Sequence, residues 1–241
     1  MRFPGTPTGI CEPIVCRGGI RMASRWSALR LPIETPRLTL RLPSGKDVPD
    51  LRRSFRDPRT ARAAGAYLHS RSERNNPALM ISRTRREYRR GEHLSLSVIL
   101  RDPPICVGRV GLRGLDWSHR CVESLSYWID PKHWSHGYAT EASWYLCDAA
   151  FRRLAMRRIT SSALEENRAS LAVHQRLGFV REGRAREAIW VAGKCMDMVL
   201  FGLLDRELPP WETVSRRIAR GESRRSPVGV LRRPARPRPR R

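Results

Sequence analysis

The sequence predicts a mixed α/β fold with a mostly antiparallel central sheet flanked by helices, and three observations carry that reading. Before residue 130 the apolar residues alternate in short stretches, as they do in half-buried strands. From Gly137 the spacing becomes helical, with Ala142, Tyr145, Leu146, Ala149 and Ala150 on one face. A second helical stretch and further strand-like runs follow, the last two joined at a glycine. No apolar run approaches the roughly 18 residues that a membrane-spanning helix needs.

The elements can be justified in order. Arg37 to Arg41 alternates and reads as a strand. Asp47 is placed to cap a short helix running to about Arg56, with Pro49 in its first turn. Asn76-Pro77 opens a helix that continues to Arg90 and stops at Gly91. Leu94 to Leu100 alternates and ends at Asp102-Pro103-Pro104. Val107 to Leu112 and Ser124 to Ile129 are two more strands, joined by a loop around Asp116 to Arg120. Gly137 to Phe151 is the main helix and Ile159 to Leu164 the next strand. Asn167 to Leu177 is a helix closed by Gly178. Phe179 to Glu182, Ala188 to Val191 and Cys195 to Leu204 are strands, with Gly193 in the final hairpin turn.

The chain has 241 residues, 40% of them hydrophobic, enough for one sizeable core. The net charge is +24, from 47 basic and 23 acidic residues, and only Lys46, Lys132 and Lys194 are lysines. Such an arginine skew fits codon bias better than selection for phosphate contacts. Residues 1–32 carry +4 and are rich in Gly, Pro and Arg, so they read as a disordered N-terminal extension, with Met22 an alternative start. The folded domain is expected over 33–208. Residues 209–241 carry +9 and end in RRSPVGVLRRPARPRPRR, which reads as a disordered basic tail suited to weak contact with RNA or the ribosome. The N-terminus lacks an apolar run of signal-peptide length, so the cytoplasm is the expected location. The six cysteines form neither a C-x-x-C nor a Cys/His set with zinc spacing, so reduced thiols and no metal are expected.

The chemically informative stretch runs from Tyr127 to Ala142. A strand ends in Asp130-Pro131, a tight loop follows, and a helix starts near Gly137. Free N–H groups of the loop and first turn, together with the helix dipole, make such a joint a pyrophosphate cradle. An ordinary strand–loop–helix connection reads the same way on these residues alone. The loop is not a phosphate loop of the Gly-Lys-Ser/Thr kind, and G-x-G-x-x-G is absent.

In this stretch the sequence resembles the GCN5-related N-acetyltransferases (GNAT), and within them the RimJ/RimL-like ribosomal-protein N-acetyltransferases. Their acetyl-CoA motif is Arg/Gln-x-x-Gly-x-Gly/Ala, and Trp134-Ser-His-Gly137-Tyr-Ala139 fits it at Gly137 and Ala139. Trp134 stands where Arg or Gln is usual, and Ser135 where Gly is usual. Ile33 to Arg41 resembles the family's first strand. Asn167-Arg-Ala-Ser170 with Leu177-Gly-Phe179 and Glu182-Gly183 resembles a second block, and Asp197 with Leu203-Leu204 the last strand.

The resemblance implies the GNAT fold, with splayed strands at the acetyl-CoA site, and transfer of an acetyl group from acetyl-CoA to a primary amine without a metal. It implies that Trp134, Ser135, His136, Gly137, Tyr138, Ala139 and Thr140 hold the cofactor's phosphates. N–H groups around Trp128 and Ile129 would hold the pantetheine and polarise the carbonyl. Asn167 would face the cofactor as well as cap its helix, and Ser170 would donate to the departing sulfur. The position of the family's general base is Ile189 here, and Glu187, two residues earlier on the same face by period two, is the substitute. Glu141 is expected to favour its helix's first turn electrostatically, and His133 to be an exposed loop residue. The implied acceptor is a protein N-terminal α-amine, such as that of a ribosomal protein. A small-molecule or antibiotic amine, and a non-catalytic ribosome- or RNA-binding protein using the basic tail, are the rival readings.

Overall fold

The computed structural model describes residues 26–63, 71–191 and 193–221. Eight strands form one sheet: β1 (Ile33–Glu34), β2 (Leu38–Arg41), β3 (His93–Leu100), β4 (Cys106–Asp116), β5 (Cys121–Ile129), β6 (Arg158–Leu164), β7 (Val180–Val191) and β8 (Lys194–Leu204). Their order is β1-β2-β3-β4-β5-β6-β8-β7, and every neighbouring pair is antiparallel except β5 and β6. The helices are α1 (Val48–Phe55), α2 (Pro58–Ala63), α3 (Arg71–Asn75), α4 (Pro77–Arg90), α5 (Tyr138–Arg153), α6 (Arg168–Leu177) and α7 (Trp211–Ala219). This is the predicted fold class, and the short helices α2 and α3 add to it.

Alternation decides which residues enter which core. Leu94, Leu96 and Val98 of β3 point to one face, where Leu112 and Val110 of β4 and Leu146 and Cys147 of α5 complete the main core. On the opposite face Ile99, Cys106 and Trp128 meet Leu51 of α1 and Met80 and Ile81 of α4. The sheet is thus covered on both sides. Where the local signals are strong, the helices end at the expected residues. Asn76 accepts the N–H of Ala78 at 3.2 Å to open α4, and Gly91 closes it at φ 74°.

The structure departs from the sequence reading at both ends of the domain. Trp26 and Leu29 lie within the expected N-terminal extension, yet both are fully buried, and Trp26 stacks on Tyr88 at 6.0 Å. Residues 209–221 are part of the fold and not of a tail. Trp211 packs on the rings of Trp144 and Tyr145 at 5.5 and 5.2 Å, and Val214 is fully buried. The Trp144 indole donates to the Pro209 carbonyl at 2.8 Å. Trp211, Val214 and Ile218 recur at helical spacing, a pattern masked by the surrounding arginines. Residues 1–25 and 222–241 of the expected terminal segments lie outside the described residues. Finally, the strands expected at 179–182 and 188–191 are one strand, β7, interrupted by irregularities of register.

Val214→Asp places a carboxylate where an apolar contact now closes the core. It should destabilise the protein by about 3–5 kcal/mol and lower Tm by roughly 10 °C in calorimetry. An unchanged Tm would restore the reading of residues 209–221 as a tail.

Candidate active site

The site begins where two strands part. β5 and β6 pair only at Cys121–Arg158 and Val122–Ile159. Beyond that point side chains of β6 replace the ladder: the Thr160 hydroxyl donates to Glu123 O, and Ser161 Oγ donates to Leu125 O at 3.0 Å. The diverging strands open a cavity of about 630 Å³. Leu125, Tyr127 and Ile129 line it from β5, Ser161 to Leu164 from β6, and the loop before α5 and one face of α6 close its sides.

The register decides which backbone groups face this gap. In an antiparallel ladder a residue's N–H and C=O point to the same side, and the side alternates along the strand. The Asp130 N–H donates to Val107 O at 2.7 Å, which turns Asp130 and Trp128 toward β4. The carbonyls of Leu125 and Ile129 instead accept from Ser161 and from the Trp134 indole (2.7 Å), so the odd-numbered residues face the gap. Donors from β5 to a ligand are therefore Tyr127 and Ile129. The expected backbone role of Trp128 is corrected: its backbone is directed at Arg109, and its side chain packs in the second core beside Phe55.

The loop before α5 is built as a cradle. Asp130 accepts the Lys132 N–H at 2.9 Å, starting a tight turn over Pro131–His133. Ser135 and Gly137 are both left-handed, at φ 64° and 78°. Ser135 thus adopts the conformation that glycine usually supplies, at a cost of about 1–2 kcal/mol. At Gly137 a Cβ would lie 2.3 Å from Ile218 Cγ2, so α7 is seated directly on the cradle. The first-turn N–H groups of α5 have no carbonyl one turn back and carry the positive end of the helix dipole. Thr140, fully buried and lining the cavity, leaves its Oγ1 without a partner among the described residues. This donor set suits a diphosphate, and the parted strand edge suits the amides of a pantetheine arm, so these residues fit acetyl-CoA.

Glu141 holds the cradle in place. Its fully buried carboxylate accepts from Thr35 Oγ1 at 2.6 Å, Arg37 N at 2.9 Å and Arg37 Nε at 2.6 Å. Arg37 also donates to the His136 carbonyl at 2.9 Å and lies over the Tyr138 ring. Glu141 is therefore an anchor between the first strands and α5, more than the dipole complement expected.

At the opposite wall Asn167 caps α6, its Oδ1 accepting the Ser170 N–H at 3.1 Å. Ser170 lines the cavity, with Oγ 2.9 Å from the Tyr127 hydroxyl. Behind them His174 is buried, with Nδ1 2.7 Å from Ser170 O and Nε2 2.8 Å from Ser161 Oγ. Burial pushes the His174 imidazole down to about 4.

Most residues singled out from the sequence meet here. Trp128, Ile129, Trp134, Ser135, Gly137, Tyr138, Ala139, Thr140, Asn167 and Ser170 all line the cavity. Two do not. His136 is exposed and stacks on Tyr138 at 5.4 Å, contributing its carbonyl to Arg37. Glu187 is exposed, at φ 49°, with its N–H on Asp197. Ala185 pairs with Met198 and Ile189 with Met196, so two extra residues bulge from β7 and break the alternation that aligned Glu187 with Ile189. Ile189 lines the cavity, and among the described residues no carboxylate does. His133, expected to be an exposed loop residue, also lines it, and burial lowers its pKa. Sequence reasoning missed Tyr127 as a polar group and Ile218 as a wall; the only signals were a hydroxyl inside an apolar strand and the spacing of α7.

Comparison with known proteins agrees with this geometry. The profile of the acetyltransferase (GNAT) domain matches residues 37–180. A Bacillus subtilis protein named "putative ribosomal N-acetyltransferase YdaF" is 37% identical over 114 residues, which are 47% of this chain and 60% of that protein. The uncharacterized N-acetyltransferase YoaA of the same organism is 26% identical over 172 residues, 71% of this chain and 96% of that one. The solved structure of a "putative ribosomal-protein-serine acetyltransferase" from Vibrio cholerae aligns with TM-score 0.60 and 26% identity, covering 72% of this chain and 97% of that one.

Two outcomes follow from these contacts. Glu141→Ala removes the shared acceptor of Thr35 and Arg37 and should cost about 1–3 kcal/mol in urea unfolding; a loss under about 0.5 kcal/mol would show that the anchor is dispensable. His174 is neutral in the fold down to about 4, whereas the unfolded chain takes up its proton near 6.5. Its contribution is complete above about 6.5 and is lost as pH falls toward about 4. Stability of the wild type should fall over that interval more steeply than that of His174→Phe, and equal slopes would exonerate His174.

Proposed function

Because the chain belongs to the acetyltransferase (GNAT) family, we propose that it moves the acetyl group of acetyl-CoA to a protein N-terminal α-amine. The observation that carries this is the cavity where the parted strands, the cradle and Ser170 converge. In this reading the cradle N–H groups and Thr140 Oγ1 take the diphosphate. The Ile129 N–H faces the thioester carbonyl and stabilises the oxyanion as the amine attacks. The C–S bond then breaks, and Ser170 Oγ gives its proton to the leaving sulfur. The proton lost by the amine passes to solvent.

The acceptor follows from the chemistry of the described lining. With no carboxylate among the described lining residues to strip a proton, a neutral amine must arrive from solution. An α-amine with pKa near 7.8 is roughly 14% neutral at pH 7, whereas a lysine side chain near 10.4 is about 0.04% neutral. The site therefore favours chain termini over lysines. The relatives named as ribosomal acetyltransferases suggest a ribosomal protein as acceptor.

Mass spectrometry can check this with short peptides that differ only in a free or blocked N-terminus, alongside lysine-bearing and small-molecule amines. Free N-termini should be acetylated at least tenfold faster. Faster transfer to small amines would overturn the acceptor assignment. Ser170→Ala should lower kcat by roughly 10–1000-fold with CoA affinity little changed.

A further inference from the structure

Tyr127 is placed to do more than line the cavity. Its hydroxyl lies 2.9 Å from Ser170 Oγ, 3.3 Å from Ser170 O and 3.3 Å from His174 Nδ1. The direction of these bonds can be worked out. His174 Nδ1 is 2.7 Å from the Ser170 carbonyl, which can only accept, so Nδ1 carries the hydrogen. Nε2 then carries no hydrogen, and the single Ser161 hydrogen is shared between Nε2 at 2.8 Å and the Leu125 carbonyl at 3.0 Å. With Nδ1 protonated, the Tyr127 hydrogen cannot go to the imidazole. Its shortest remaining acceptor is Ser170 Oγ, and that leaves the Ser170 hydrogen to point into the cavity.

We propose that Tyr127 and Ser170 form a two-hydroxyl relay that delivers the proton to the departing thiolate. The inference rests on Ser170 being the donor to sulfur. As the C–S bond breaks, its electron pair stays on sulfur, which takes the Ser170 proton. Ser170 Oγ takes the Tyr127 proton in the same event, and Tyr127 is left as a phenolate facing the His174 Nδ1–H. The phenolate regains a proton from solvent, balancing the proton that the amine released there. The relay removes a difficulty of serine acting alone. A serine alkoxide is far too basic to be left behind by a thiol of pKa about 8.5, whereas a phenol of about 10 is close in acidity. Tyr127 acts through Ser170 and is in that sense a positioning and relay residue. His174 fixes the direction of the relay and need not change its charge.

The test uses the full chain, acetyl-CoA and the best free-N-terminus peptide of the panel above, with Tyr127→Phe, Ser170→Ala and the double variant. Tyr127→Phe should lower kcat by on the order of 10–100-fold with KM for acetyl-CoA within about twofold, the scale of general-acid assistance. The double variant should be no slower than Ser170→Ala, because the hydroxyls act in series. The dependence of kcat on deuterium content should be curved in the wild type and linear in Tyr127→Phe. Apart from turnover, calorimetry with CoA near pH 8 should show a proton released on binding to the wild type, because both hydroxyls favour the thiolate, and less release in either single variant. If Tyr127→Phe keeps kcat within twofold while Ser170→Ala does not, the relay is wrong and Ser170 stands. If the two losses multiply, the hydroxyls act independently and the relay is again wrong. If Ser170→Ala keeps full kcat, the assignment of Ser170 itself fails.

Discussion

β5 and β6 share only two residue pairs before they part, and the remainder of the site depends on that parting. A parallel ladder carried further would fill the gap with its own hydrogen bonds. The β6 hydroxyls prevent this, because Thr160 and Ser161 reach across to carbonyls of β5. Ladder contacts are thereby exchanged for a cavity whose walls keep polar backbone groups available. Leaving such a group unpaired in an apolar setting costs about 1–3 kcal/mol. A ligand that supplies the missing acceptors recovers that energy, so the fold stores part of its coenzyme affinity in an incomplete sheet.

The second constraint is the buried carboxylate of Glu141. It gathers Thr35 and Arg37 from the start of the domain onto the first turn of α5, and through Arg37 it reaches the His136 carbonyl. The cradle is consequently braced from outside. That bracing accounts for how Ser135 can hold a left-handed backbone without glycine: strain at one residue persists where the surroundings over-determine it. His174 plays the matching part at the far wall, tying α6 to β6 through Ser161 and to Tyr127 across the gap.

What the sequence disclosed was local. Gly91 and Gly178 close helices through their own backbone freedom, and Asn76 and Asn167 open them through side-chain oxygens, so residue type alone located four helix ends. The cradle was legible for the same reason. Glu187 was misplaced because a bulge depends on pairing with β8, which period-two counting along β7 cannot contain. Trp128 was assigned the wrong edge because the direction of a backbone amide depends on the register with β4. Tyr127 and His174 meet from elements 47 residues apart, and neither carries a mark of the other. α7 was hidden by its composition: three apolar positions among arginines look like a tail until something is present to cover them.

The seat of Ile218 on Gly137 has a consequence for biosynthesis. The cradle is made of residues that precede and open α5, but its outer wall comes from α7, which is made after every strand of the sheet. A nascent chain can fold the sheet and α5 as they emerge, yet the cavity stays open on one side until α7 has been translated. A product that terminates before α7 would carry Tyr127 and Ser170 and still lack a wall of the cavity. The site is thus complete only once α7 has been made.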